Sequence, residues 1–149
     1  MKGVLLLILA LCTKPVFGQS IVGFWQADDT TVAAGYKAHY IFSANKKFTY
    51  NVNEEDGLSR IRTIGGRYSI KGTMLLLTPE YTVELVGGTL ERSHIVTGHD
   101  SWSIENTHQK TYKITKPVAQ ETIFKLIKRK KGWCLLLDTW PYYRIKGTK

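Results

Sequence analysis

The sequence carries four histidines, and imidazole is a common ligand for zinc and copper. His94 and His99 stand five residues apart with Asp100 next to the second, while His39 and His108 lie elsewhere. Residues five apart on a strand face opposite sides, so the pair would share a metal only across a bend near Gly98. We therefore expect surface or network histidines and no metal site. The carboxylates are scattered: Glu54, Glu55 and Asp56 precede a turn at Gly57 and read as solvated, so no glycosidase-type pair is visible. There is no HExxH, no Gly-rich nucleotide loop and no nucleophile elbow. Cys134, between Trp133 and Leu135-Leu136-Leu137, lacks a histidine base and reads as a small core residue. These residues point to a non-enzyme with no catalytic residues and no cofactor.

Binding chemistry is better represented. Lys128, Arg129, Lys130 and Lys131, ahead of Gly132, form the densest charge run in a chain whose formal charge is +9 over 149 residues. Such a run crowns a hairpin tip. It serves either as a solvated, edge-protecting turn or as a contact for anionic lipid headgroups or glycans. Nucleic acid is not expected as a partner of an exported chain. A second set is aromatic: Tyr36, Tyr40, Phe42, Phe48, Tyr50 and Tyr68 fall on alternate positions and share one side of a sheet. Most of these are core, and a subset, Tyr40, Phe42, Tyr50 and Tyr68, lines a pocket if the sheet encloses one. Arg62 shares a face with Leu58 and Ile64. If that face is internal, Arg62 pairs with an anionic headgroup; outward placement fits the pattern equally.

These groups are positioned by short alternating segments punctuated by Gly, Asn and Asp, and no stretch sustains a 3.6-residue apolar period. The expected strands are Ile21 to Ala27, then a hairpin from Tyr36 to Val52 turning at Ala44-Asn45-Lys46. Leu58 to Ile64 and Arg67 to Ile70 follow, separated by a bulge or bend at Gly65-Gly66. Met74 to Leu77, Tyr81 to Val86 and Leu90 to Thr97 come next, with a turn at Gly87-Gly88. Gly98 to Gln109 shows little regularity. Lys110 to Thr115, Glu121 to Lys128, Trp133 to Asp138 and Pro141 to Ile145 complete about ten candidates. A sheet this long closes on itself, because closure removes its edges. The fold class is therefore all-β, an antiparallel up-and-down barrel of about 8–10 strands.

Residues 1–18 read as a signal peptide: a positive start at Met1-Lys2, an apolar run from Gly3 to Cys12, and small-residue cleavage geometry at Val16-Phe17-Gly18. The run is too short to cross a bilayer. Leu11 before Cys12 disfavours lipoprotein anchoring. The expectation is an exported chain, periplasmic or secreted, with one domain over 19–149.

Gly23-Phe24-Trp25 near the start, with Arg144 in the last strand, resembles the pattern of the lipocalins and the wider calycin group. The resemblance implies that Gly23, Trp25 and Arg144 close one end of the barrel, the guanidinium packing across the indole. The export signal and the Gly-x-Tyr-x-Ile-x-Gly run from Gly66 to Gly72 are similar to small secreted lipocalin-like proteins of Bacteroidetes-type bacteria. The chain departs from the family in lacking the threonine-aspartate-tyrosine motif, the long C-terminal helix and a disulfide pair. The resemblance implies a carrier of a small apolar or amphiphilic molecule. The alternative is a filled barrel that binds an anionic glycan, lipid or protein at the envelope through its basic hairpin.

Overall fold

The computed structural model describes residues 20–27, 37–52, 57–94, 100–130 and 132–145. The segment 1–18, expected to be an export signal, and Cys12 within it lie outside the described residues, as do Tyr36, His99 and Lys131. Among the described residues there are nine strands: β1 (Gly23–Ala27), β2 (His39–Phe42), β3 (Lys47–Asn51), β4 (Ile61–Lys71), β5 (Met74–His94), β6 (Asp100–Lys113), β7 (Gln120–Arg129), β8 (Gly132–Leu137) and β9 (Trp140–Arg144). Every pairing is antiparallel. Eight strands close a ring in the order β1-β2-β3-β4-β5-β7-β8-β9, and β6 is the extra strand, paired to β5 alone.

Antiparallel order fixes which turn lies at which end. The β2–β3, β4–β5 and β7–β8 turns lie at the end where β1 begins and β9 finishes, here called the entry end. The β8–β9 turn and the start of β7 lie at the other end. There β5 runs on past the barrel, and β5 with β6 forms a two-stranded arm from Leu85–Gln109 to His94–Asp100.

The alternation of β2 and β3 places Phe42 and Phe48 in the core with Trp25, Tyr68, Leu75, Leu77, Leu135 and Leu137. Tyr40 stacks on Phe42 at 5.5 Å and packs at a tilt on its cross-strand partner Tyr50 at 4.5 Å, and Phe42 meets Tyr68 edge-on at 5.1 Å. Offset and edge-to-face rings pack the middle of the barrel with side chains.

Three readings of the strands are corrected. Leu58–Ile64 and Arg67–Ile70 are not separate strands: Leu58 sits in a turn and β4 runs unbroken from Ile61 to Lys71 through Gly65-Gly66. The bulge expected there lies on the partner, where Gly65 pairs Tyr81 and Gly66 pairs Pro79, leaving Glu80 extra. Both glycines are required by close approach: a Cβ on Gly65 would collide with the Tyr81 ring, and one on Gly66 with the Thr78 carbonyl oxygen.

The three segments expected between Met74 and Thr97 are one strand as far as they are described, Met74–His94, and Gly87-Gly88 is no turn. Positive φ at Gly87 (75°) and Gly88 (89°), matched by Asn106 (57°) across the ladder, bends the arm without ending it. Gly98 to Gln109 is not an irregular loop, since from Asp100 onward it is β6. Both faces of a projecting ribbon meet solvent, so no apolar alternation marked it.

Candidate functional site

At the entry end, Trp25 and Arg144 are direct cross-strand partners, and the Arg144 guanidinium carbon lies 5.7 Å from the Trp25 ring centre. The indole is fully buried and its Nε1–H donates to the Ile21 carbonyl at 2.6 Å. Arg144 Nη2 donates to the Val22 carbonyl at 2.9 Å. A Cβ on Gly23 would stand 3.2 Å from Arg144 Nε, so the glycine leaves room for the guanidinium. The first and last strands of the ring are thus joined by a ladder and by this stacked pair.

Around that pair the charges have one sign. Lys46 and Lys47 come from the β2–β3 turn, Lys71 from β4–β5, and Lys128, Arg129 and Lys130 from β7–β8; all are exposed, as is Arg144. Several are held in place: Lys46 Nζ lies 5.3 Å over the Tyr68 ring, and Arg129 Nη1 donates to the Tyr143 hydroxyl at 3.1 Å. Among the described residues no carboxylate shares this end. Glu80 sits mid-barrel, paired with Arg67 at 2.9 Å. Glu84, Glu91, Asp100 and Glu105 are on the arm strands, and Glu121 and Asp138 lie at the arm end.

The arm end holds a cleft of about 290 Å³ lined by Tyr40, Leu77, Leu137, Trp140 and Tyr142, with Gln120, Glu121, Thr122 and Asp138 completing its lining. Burial, and secondarily the nearby Tyr50, pushes the Tyr40 hydroxyl up to about 12. Burial also raises Tyr50, against a hydrogen bond from Tyr142, and it raises Tyr68, whose hydroxyl donates to the Ser43 carbonyl at 3.0 Å. The Asp138 carboxyl is held below its ordinary value by the Thr122 hydroxyl at 2.6 Å and the Ile123 amide at 3.1 Å.

Of the aromatic candidates, Tyr40 lines this cleft, Tyr50 packs beside it, and Phe42 and Tyr68 lie deeper, within the core. Arg62 is not with them. It lines a separate groove of about 630 Å³ between the barrel wall and the arm, a feature that sequence patterning missed because the arm read as fragments.

His39 Nδ1–H donates to the Lys37 carbonyl and its Nε2 accepts from the Asn51 side-chain amide, at 2.9 Å each, and the ring stacks on Phe24. Cys134 is buried, and its thiol is pushed up by desolvation, partly offset by Arg129. No protein-family model, curated protein or solved structure matches the chain.

Proposed function

We propose that this protein is an exported barrel of the cell envelope that attaches to anionic surfaces through its entry end. The observation that carries the reading is the separation of charge: three turns and the last strand bring Lys46, Lys47, Lys71, Lys128, Arg129, Lys130 and Arg144 to one end, free of carboxylates among the described residues. A one-signed face raises the local concentration of polyanions, and each Lys or Arg near an anionic bilayer contributes about 1 kcal/mol. The test is cosedimentation with phosphatidylglycerol and phosphatidylcholine vesicles at low and high salt. Binding is expected to the anionic vesicles alone and to fade with salt. Replacing Lys128, Arg129 and Lys130 by Ser should weaken it by about 3 kcal/mol, roughly a hundredfold. Equal binding to both vesicles, or an unchanged triple variant, refutes the reading.

A second reading, a carrier of a small amphiphilic molecule, is favoured by the arm-end cleft, where Tyr40, Leu77, Leu137 and Tyr142 stand beside the polar Gln120, Glu121, Thr122 and Asp138, and Trp140 is 68% exposed. Its size accommodates a short chain or a single ring system. Lipid extraction of the purified protein followed by mass spectrometry tests this reading, and empty protein removes it.

A further inference from the structure

The groove between barrel and arm has an architecture of its own. One wall is the outer face of β3 and β4, where Thr63 Oγ1 donates to Asn51 Oδ1 at 2.8 Å and the Asn51 amide pairs with His39 Nε2 at 2.9 Å. The other wall is the arm: Leu85, Thr107 and Gln109 below its bend, Ser103, Ile104 and Glu105 beyond it. The bend at Gly87-Gly88 and Asn106 places these two halves around one space. Gly57 closes a corner, its carbonyl accepting from the Ile104 amide at 3.2 Å.

Arg62 enters this space because of a register shift. Ile61 pairs Glu84 and Thr63 pairs Val83, so Arg62 has no partner on β5 and lines the same groove as its neighbour Thr63, which strict alternation forbids. Its Nη1 is buried and makes no hydrogen bond among the described residues. Buried charged donors are costly to leave unpaired, and native proteins leave few of them so. Glu105 lines the groove, but its Oε1 accepts from the Ser103 hydroxyl at 2.7 Å, and no ion pair joins it to Arg62 among the described residues. Nearby, Arg60 is held by the Leu85 and Gly87 carbonyls at 3.2 and 3.0 Å and adds a second positive charge to this end of the arm.

We infer that this groove binds a small hydroxylated organic anion, its carboxylate or phosphate paired with the free face of the Arg62 guanidinium. A planar guanidinium presents parallel N–H donors that fit either group. Thr107 and Gln109, whose side chains make no hydrogen bonds among the described residues, supply partners for hydroxyls. The volume of about 630 Å³ suits a molecule of one or two sugar rings. This site is independent of the basic entry end, which lies at the other end of the barrel.

The test is an amide NMR titration of the wild type and Arg62→Gln with glucuronate, glucose 6-phosphate and glucose, each up to about 20 mM, above the millimolar range expected of such small ligands. One or both anions should shift Gly57, Leu85 and Thr107, glucose should not, and Arg62→Gln should weaken the response at least about tenfold. Response to glucuronate alone assigns a carboxylate, and response to the phosphate alone assigns a phosphoryl group. No shift with either anion, equal shifts with glucose, or an unaltered Arg62→Gln overturns the inference. Arg62→Met provides a readout that needs no ligand: removing a half-buried charge whose buried Nη1 has no hydrogen bond among the described residues should raise the melting temperature by a few degrees. A lowered melting temperature would make Arg62 a structural residue and overturn the site.

Discussion

The joint between Trp25 and Arg144 lends itself to a double-mutant cycle with Trp25→Phe and Arg144→Met. Trp25 is fully buried in the core, and its Nε1–H is bonded to Ile21 at 2.6 Å. Trp25→Phe removes the larger ring and that donor. The vacated space costs about 1–3 kcal/mol, and the orphaned Ile21 carbonyl adds about 1 kcal/mol. Arg144→Met keeps the aliphatic stem and loses the cation–π contact at 5.7 Å and the charged hydrogen bond to Val22 at 2.9 Å, together about 2 kcal/mol. Phe retains a weaker face for the guanidinium, so the coupling between the two substitutions is about 0.5–1 kcal/mol rather than the full contact. Urea unfolding followed by circular dichroism measures all four corners. Additive single effects, with no coupling beyond error, would show that the guanidinium and indole do not interact. A wild-type-like Arg144→Met would remove the ring-closing role of the pair altogether.

Three further outcomes follow from the same geometry. Burial lifts Tyr40 to about 12, above the roughly 10 of an unfolded tyrosine, so the folded state holds this proton more tightly. Its contribution is full below pH 10 and is lost between pH 10 and 12, on the order of 2–3 kcal/mol; Tyr40→Phe should flatten alkaline unfolding in that window, and an unchanged profile counts against the burial. Gly65→Ala should destabilise by at least about 2 kcal/mol because the new methyl meets the Tyr81 ring, and Tyr81→Ala should relieve much of that loss; purely additive effects would deny the contact. Cys134, buried and with a raised thiol, should resist a disulfide reagent until the protein unfolds, so rapid labelling of native protein would place it at the surface.

The hairpin from His39 to Asn51 was legible because inward residues Tyr40, Phe42, Phe48 and Tyr50 are all large and aromatic while their neighbours, apart from Ile41, are polar, and the period of two needs no partner to be seen. The opposition of Trp25 and Arg144 was anticipated only through the resemblance to the lipocalin pattern, since alternation within a strand does not say which strand it will meet. The path of β5 was not. A glycine pair within an alternating run looks the same in sequence whether it ends a strand, makes room for a ring as at Gly65, or bends a ribbon as at Gly87 and Gly88. Only the cross-strand neighbour distinguishes these cases. Arg62 illustrates the same limit: its direction depends on a register shift between two strands, a property of the pair that neither strand's own residues encode.

The arm also decides where the charge goes. Strands of an up-and-down barrel alternate in direction, so turns alternate between ends, and β5 and β7 are neighbours running oppositely although β6 lies between them in sequence. Along one edge of β5, β7 occupies Met74–Leu77 and β6 occupies Tyr81–His94, so β6 and β7 run the same way. Had β6 entered the ring as a full strand, β7 and β8 would have been reversed, sending the turn that bears Lys128, Arg129 and Lys130 to the arm end and Glu121 and Asp138 to the entry end among the remaining cations. Excursion into an arm preserves the parity that gathers the cations at the entry end. Replacing residues 88–106 by a two-residue type I′ turn keeps that parity while deleting the part of the groove's arm wall beyond the bend, Ser103, Ile104 and Glu105. Such a variant should bind phosphatidylglycerol vesicles within about twofold of wild type, since none of the entry-end lysines is touched, yet lose its response to glucuronate or glucose 6-phosphate. Loss of vesicle binding in a folded variant would show that the arm, and not the separation of charge by strand direction, holds the anionic surface.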